Sequence, residues 1–396
     1  MKIKFGLLPR IITAIILGVI LGNFVPKWFV RLFATFNEIF GNYLSFVIPF
    51  IIIGFIVPGI AHMGKGAGKL LGVSTAVAYI STVFAGVFAF LISLWLLPGL
   101  IKGSTLQAAE NPEEFLQSGF FTIEMPPIMD VMSALILSFI IGIGIASVKG
   151  DVLERAFDEF QVIVEKLIKV TIIPLLPIHI FGVFTNMTYG GQVQNILLVF
   201  AKVFVLIIAL HIIILILQYM AAGTLQKANP FSLLKTMLPA YFTALGTQSS
   251  SATIPVTLQS AKKTKVRDKI ADFCIPLFAM IHLSGSTITL TVCSMGVLML
   301  SGGTPSIGMY LPFILMLGVT MVAAPGVPGG AVMAALGILE TMLNFDQTML
   351  SLMIALYLAQ DSFGTATNVT GDGALSMIVD KLMGNGKSNP KTEQAV

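Results

Sequence analysis

Long apolar stretches separated by short polar ones run the length of this chain, and their lengths predict membrane spans. Residues 7 to 25, 43 to 61, 73 to 101, 129 to 148, 168 to 188 and 196 to 221 are each long enough to cross a bilayer with some tilt. From residue 231 the pattern changes. Segments 231 to 261, 271 to 301, 305 to 342 and 346 to 382 stay apolar but are broken near their middles by Ser, Thr, Gly and Pro. Such breaks are informative, because non-helical backbone at membrane depth is tolerated only against protein or a water-filled cavity.

The last broken segment carries the most unusual feature. The run Gln360-Asp-Ser-Phe-Gly-Thr-Ala-Thr-Asn-Val-Thr-Gly-Asp372 puts two carboxylates inside an otherwise membrane-spanning pattern. Ionisable groups are costly in hydrocarbon, so the pair is read as a functional site. On a helix, Asp361, Thr365, Asn368 and Asp372 fall at roughly 0°, 40°, −20° and 20°, one narrow polar stripe.

Composition agrees with the spans. Of 396 residues 56% are hydrophobic and 11% charged, with mean hydropathy +0.93, whereas a soluble domain carries about a quarter charged residues. The expectation is an all-α integral membrane protein. Its net charge of +4 comes from Lys and Arg in loops, which reports orientation and gives no sign of nucleic acid. The amino-terminal Met-Lys-Ile-Lys and the apolar run after it resemble a signal peptide, but the run is long and shows no clear small-residue cleavage site, so it reads as a retained first span. Cys274 and Cys293 lie too far apart on one apolar segment for a bridge and read as core residues.

Positive residues favour alternate loops: Lys2, Lys4 and Arg10; Lys65 and Lys69; Lys149 and Arg155; Lys227 and Lys235; the run Lys262 to Lys269; and Lys381, Lys387 and Lys391. Lys27, Arg31 and Lys102 are exceptions, and the loop bearing Glu110, Glu113 and Glu114 lies on the other side. By the positive-inside rule both termini are cytoplasmic. With six ordinary spans this requires 231 to 261 to be a re-entrant hairpin from inside and 305 to 342 a second one from outside. The expected fold is therefore eight transmembrane helices plus two opposed re-entrant helical hairpins. The first hairpin turns at Gln248-Ser-Ser-Ser-Ala-Thr-Ile-Pro255 and precedes a span interrupted at His282-Leu-Ser-Gly-Ser-Thr287. The second turns at Ala324-Pro-Gly-Val-Pro-Gly-Gly330 and precedes the Asp361 to Asp372 stripe. Two such units of opposite orientation are the inverted repeat of a secondary transporter, with the site where the breaks meet.

These stretches resemble a known family. Ser249 to Thr257, Pro276 to Gly285, Gly326 to Gly330 and Asn368-Val-Thr-Gly-Asp372 are similar, in order and spacing, to the signature motifs of the dicarboxylate/amino acid:cation symporters, the glutamate-transporter family. Gln360-Asp-Ser together with Ile288-Thr-Leu-Thr-Val292 looks most like the bacterial sodium/serine-threonine symporters. The resemblance implies a cell-membrane homotrimer: residues 1–225 as scaffold and trimerisation spans, 226–385 as a transport core that moves as an elevator, and 386–396 as a cytoplasmic tail. It puts Asp361 on a substrate ammonium, and Asn368 with the Ser250 and Ser251 amides on its carboxylate. Gln248, Ser249, Ser286, Val327, Gly330, Gly364 and Thr365 line the same substrate site. Sodium, a transported ion and not a prosthetic group, maps to Asp372 with carbonyls of Phe278, His282 and Asn368, and a second ion to carbonyls of Met280 and Ala324.

The departures narrow the substrate. Acidic-substrate members carry an arginine where this chain has Gly364, and some carry one where it has Gln248. Arg10, Arg31, Arg155 and Arg267 all lie at or near span ends. A side-chain carboxylate in the pocket would lack a cationic partner, at a cost of several kcal/mol, which favours a small neutral amino acid such as serine, threonine or alanine. His282-Leu-Ser284 stands where many members read Asn-Met-Asp, which predicts fewer coupled ions and leaves proton coupling through His282 as the alternative, beside an acidic-substrate symporter.

Other readings of the same residues remain open. Taken alone, Ser249 to Ser251 read equally well as close helix packing, and residues 326 to 329 as a plain turn. His62, His179 and His211 read as structural, and Pro174 and Pro177 as a kink. A serine hydrolase using the serine run, His282 and Asp361 would need a fixed nucleophile with a base in reach, and would leave the paired hairpins unexplained. A channel differs from a symporter in that its flux neither saturates with amino acid nor requires sodium. No enzyme is expected.

Overall fold

The computed structural model describes residues 7–64, 69–101, 116–148, 150–191, 193–322, 324 and 328–384, and among them there is helix but no strand. The helices are α1 (Leu7–Gly22), α2 (Lys27–Gly64), α3 (Lys69–Ile101), α4 (Val131–Ser147), α5 (Val152–Leu167), α6 (Ile173–Tyr189) and α7 (Val193–Gln226). There follow α8 (Pro230–Thr247), α9 (Ser250–Ala261), α10 (Asp268–Ile281), α11 (Ser284–Leu300), α12 (Ile307–Val322), α13 (Gly330–Leu343), α14 (Gln347–Leu358) and α15 (Asp361–Leu382). The turn of the second pair at 325 to 327, the acidic stretch around Glu110, and Lys2, Lys4, Lys65, Lys102, Lys149, Lys387 and Lys391 lie outside the described residues.

Which helices face lipid follows from where large apolar side chains remain exposed. Ile12, Ile16 and Ile20 on α1, Ile80, Phe84 and Trp95 on α3, and Ile136, Ile140 and Ile143 on α4 all point outward. Such surfaces are stable against lipid or another apolar protein surface. The run from Asp268 to Leu300 is the reverse: 94% of its most apolar window is buried, against 39% for α3, so α10 and α11 form the interior. α15 is buried along nearly its whole length although it is the most polar of the long helices.

Two boundaries differ from the expected spans, for physical reasons. α2 starts 16 residues before its apolar run does. Its polar first half holds the segment after residue 115: Arg31 donates to the carbonyls of Ser118 and Gly119 and lies over the Phe120 ring, Glu38 accepts from the Gly119 amide, and Asn42 donates to Ile123 O. Arg31, an exception to the charge pattern, is thus a structural clamp. Between α5 and α6, residues Ile168–Ile172 form a π-turn in which the Ile173 amide donates to Ile168 O. Pro174 follows and has no amide to donate, so the wider turn accommodates the proline kink within one continuous run.

The predicted breaks at Gln248 and His282 are present. α8 ends at Thr247, Gln248 takes a left-handed conformation with φ 54°, and α9 begins at Ser250. Lys265 Nζ, just beyond α9, donates to Lys227 O just before α8, so this helix pair returns to the end it left from. Arg267 brings the carboxy-terminal end of α15 to the same place through Asp380, at 2.5 Å. The other interruptions fall at His282–Leu283, between α10 and α11, and at Ala359–Gln360, between α14 and α15.

α11 and α15 approach closely at their starts. A Cβ on Gly285 would lie 2.5 Å from Gly364 O and 2.7 Å from Thr367 Cβ, so only glycine fits there. Gly285→Ala is therefore expected to force the two helices apart and to lower the thermal unfolding temperature of the detergent-solubilised protein, with about 1–3 kcal/mol lost to overpacking. An unchanged unfolding temperature would mean that this contact is not close in the folded protein.

Candidate functional site

Opening a helix inside a membrane exposes the first backbone N–H groups of its second half, and each needs an acceptor. At α11 that acceptor comes from another helix. Asn368 Oδ1 on α15 accepts from Gly285 N at 2.7 Å and Ser286 N at 3.2 Å, while its Nδ2 donates to Ser286 Oγ at 2.9 Å. Asn368 keeps one amide hydrogen for a further acceptor, so it can cap α11 and still donate to a bound carboxylate.

Asp361 is the first residue of α15 rather than a mid-helix residue, because the chain breaks just before it. Its Oδ2 accepts from Gly329 N at 2.7 Å, and Gly329 is the left-handed N-cap of α13 with φ 75°. The carboxylate thus sits at the positive ends of two helices. It is 5% exposed, and among the described residues no Lys, Arg or His pairs with it. Arg31 is held at the 118–119 carbonyls, Arg155 pairs with Asp151, Arg267 pairs with Asp380, and Arg10 is exposed.

Asp372 solves the same problem differently. Its Oδ1 meets His282 Nδ1 at 2.9 Å, and His282 Nε2 meets Ser81 Oγ at 3.1 Å. Gln218 Nε2 joins the network through Ser81 Oγ and Ser284 Oγ. Asp372 Oδ2 and Gln218 Oε1 are buried without a hydrogen-bond partner. Oxygens left bare in this way are the donor type that a hard cation takes, and the resemblance expects one at Asp372.

The remaining sequence-derived residues are spread along these breaks. Ser249 caps α9 by accepting from Ala252 N, and the amides of Ser250 and Ser251 stand in the first turn, where no intrahelical acceptor exists. Ser251 Oγ contacts Met280 Sδ at 3.6 Å, which brings the first turn to the end of α10. Phe278 O accepts from His282 N, and Ala324, Gly330 and Thr365 are buried. Gly364 faces α11: a Cβ there would meet Ser286 N and Thr289 Oγ1 at 3.5 Å, an ordinary contact, so a methyl group fits. Val327 lies outside the described residues.

Several neighbours of the site were invisible in the sequence. Ser81 and Gln218 sit in ordinary apolar helices, distant in the chain from the residues they bond. Tyr357 hides in the run Leu-Met-Ile-Ala-Leu-Tyr-Leu, yet it is fully buried beside Asp361 and Ser286. His211, read as structural, lies behind the α11 start, its Nε2 at 3.0 Å from Gly285 O. His179 is likewise tied between Asn37 and Ser351. The two cysteines are free and buried, as expected of core residues.

Comparison with known proteins places this architecture. The chain is similar to proteins named serine/threonine transporter SstT: that of Enterococcus faecalis is 23% identical over 389 residues, covering 93% of this chain and 90% of its own. Its namesake from Acinetobacter baumannii strain AYE is 24% identical over 390 residues, covering 95% and 97%. That from Acinetobacter baylyi is 24% identical over 405 residues, covering 96% and 98%. The sequence profile described as "Sodium:dicarboxylate symporter family" matches residues 7–382, essentially the whole helical body with both helix pairs and both breaks. The chain belongs to the sodium:dicarboxylate symporter family, and is a membrane transporter rather than an enzyme.

Proposed function

We propose that the protein is a symporter that couples inward sodium movement to uptake of a small neutral amino acid, with serine and threonine first and alanine next. The observation that carries this reading is Asp361, a buried carboxylate with no cation beside it among the described residues. Such a group calls for a positive ligand, and an α-ammonium supplies one. The names of the relatives point to the same substrates.

In this reading the substrate ammonium sits on Asp361. Its carboxylate takes the free Asn368 amide hydrogen and the Ser250 and Ser251 amides at the start of α9, a helix end suited to an anion. A second, side-chain carboxylate has no arginine to meet it, since Gly364 and Gln248 occupy the positions where acidic-substrate members carry one. Eight spans with α8–α9 and α12–α13 as opposed re-entrant hairpins, both termini cytoplasmic, account for the charge pattern and for the return of α8–α9 to one end. Residues 226–385 form the moving core of a trimeric elevator against the scaffold of residues 1–225.

Sodium occupies the oxygens around Asp372. One sodium ion moving down about 100 mV supplies about 2.3 kcal/mol, and a tenfold concentration gradient adds about 1.4 kcal/mol. Together these concentrate a neutral substrate several hundredfold, so one ion suffices. The contact of His282 with Asp372 favours a second reading in which protons replace sodium.

Asp361→Asn keeps an oxygen for the Gly329 amide but removes the charge. Serine affinity measured by calorimetry is expected to fall several hundredfold, the equivalent of about 3–5 kcal/mol, with sodium binding largely kept. Near-native serine affinity would remove Asp361 from the substrate site. Asp372→Asn is expected to raise the sodium concentration needed for half-maximal uptake and to weaken serine binding only through linkage. An unchanged sodium dependence would reject the ion site and leave coupling through His282 as the leading account.

A further inference from the structure

Some buried hydroxyls around the site are paired, while those of Thr287, Thr291, Thr370 and Tyr357 are not. Ser286 Oγ accepts from Asn368, and Thr289 Oγ1 returns to Gly285 O. Of the unpaired ones, Tyr357 lies beside Asp361. It is 0% exposed, and its hydroxyl lies within interaction range of both Asp361 and Ser286, yet it closes a well-formed hydrogen bond with neither. A buried hydroxyl without a partner costs about 1–3 kcal/mol, a cost that phenylalanine would avoid in the same space.

The position of Tyr357 gives that hydroxyl a use. Tyr357 precedes Asp361 by four residues, and the interruption between them is slight: the Gln360 amide donates to Tyr357 O in a turn, and the Gly364 amide to Gln360 O. The two side chains therefore point to one side, along the line that continues to Gly364 and Asn368. An amino acid anchored by its ammonium on Asp361 and by its carboxylate toward Asn368 holds its α-carbon between them. Its β-substituent is then one bond away, within reach of the groups around Asp361, Tyr357 and Ser286 among them. Gly364 adds no side chain to that space.

We propose that Tyr357 is a specificity-determining residue whose hydroxyl hydrogen-bonds the β-hydroxyl of serine or threonine. The proposal rests on the reading of the site given under Proposed function. Ser286 Oγ has already accepted a hydrogen bond from Asn368, so its own hydrogen remains available to the same substrate oxygen or to Tyr357 Oη. A site that offers hydrogen bonds to a substrate hydroxyl discriminates against the analogue that lacks it, because the buried groups are then left unpaired. Alanine, identical to serine but for that hydroxyl, is the natural comparison.

The test is Tyr357→Phe in purified protein. Serine, threonine and alanine affinities are measured in sodium by displacement of labelled serine, together with the thermal unfolding temperature without amino acid. The expected result is an affinity loss of about tenfold for serine and threonine with alanine changed less than about twofold, and an unfolding temperature that does not fall. A serine-to-alanine affinity ratio within about twofold of the unsubstituted protein's would overturn the proposal. So would a lowered unfolding temperature with equal losses for all three amino acids, the mark of a structural hydroxyl. Failure of the underlying reading shows elsewhere, as unsubstituted protein that binds none of the three.

Discussion

The fold turns on one demand: the helix restarted at Ser284, deep in the interior, must have its first amides satisfied. Asn368 does this with a single side-chain oxygen that takes two backbone N–H groups of α11. The arrangement works only because α11 and α15 touch at Gly285 and Gly364, where a side chain on Gly285 would collide with backbone. The cap fixes the register of the two helices, and the register places Asp361, Asn368 and Asp372 along the surface where the breaks open.

The two buried carboxylates then divide the chemistry. Asp361 stands at the start of α15 and takes the Gly329 amide, so it is linked to the second helix pair and held among helix N-termini that favour its charge. Asp372, three turns further on, is held by His282, which joins Ser81 and Gln218, and it retains a bare oxygen. In the proposed reading, one group meets an organic cation and the other an inorganic one. Both lie on one helix, so whatever moves α15 acts on both carboxylates together, and the proposed coupling rests on that.

Much of this was legible in the sequence, because membrane proteins concentrate polar residues where they are needed. The turn at Gln248 and the break at His282 were marked by clusters of Ser, Gly, Thr and Pro that have no place in an uninterrupted span. The stripe from Asp361 to Asp372 followed from helical spacing alone. What failed to show were features set by contacts between distant segments. α2 begins early because Arg31, Glu38 and Asn42 bind a loop some 80 residues away, and their polarity looked like the end of a span. The break before Asp361 carries no proline or adjacent glycine. His282 reaching Asp372 across 90 residues, and Tyr357 lying beside Asp361 from within an apolar run, leave no trace in local pattern.

The account stands or falls on what Asp361 binds and what drives it. The most direct measurement is uptake of labelled serine into proteoliposomes under an imposed inward sodium gradient, with pH equal on both sides, in competition with each of the other amino acids. The account predicts saturable uptake that disappears when the sodium gradient is removed, that is inhibited strongly by threonine and more weakly by alanine, and that is scarcely touched by aspartate or glutamate. Uptake that persists without sodium, or that aspartate suppresses better than threonine does, would contradict it.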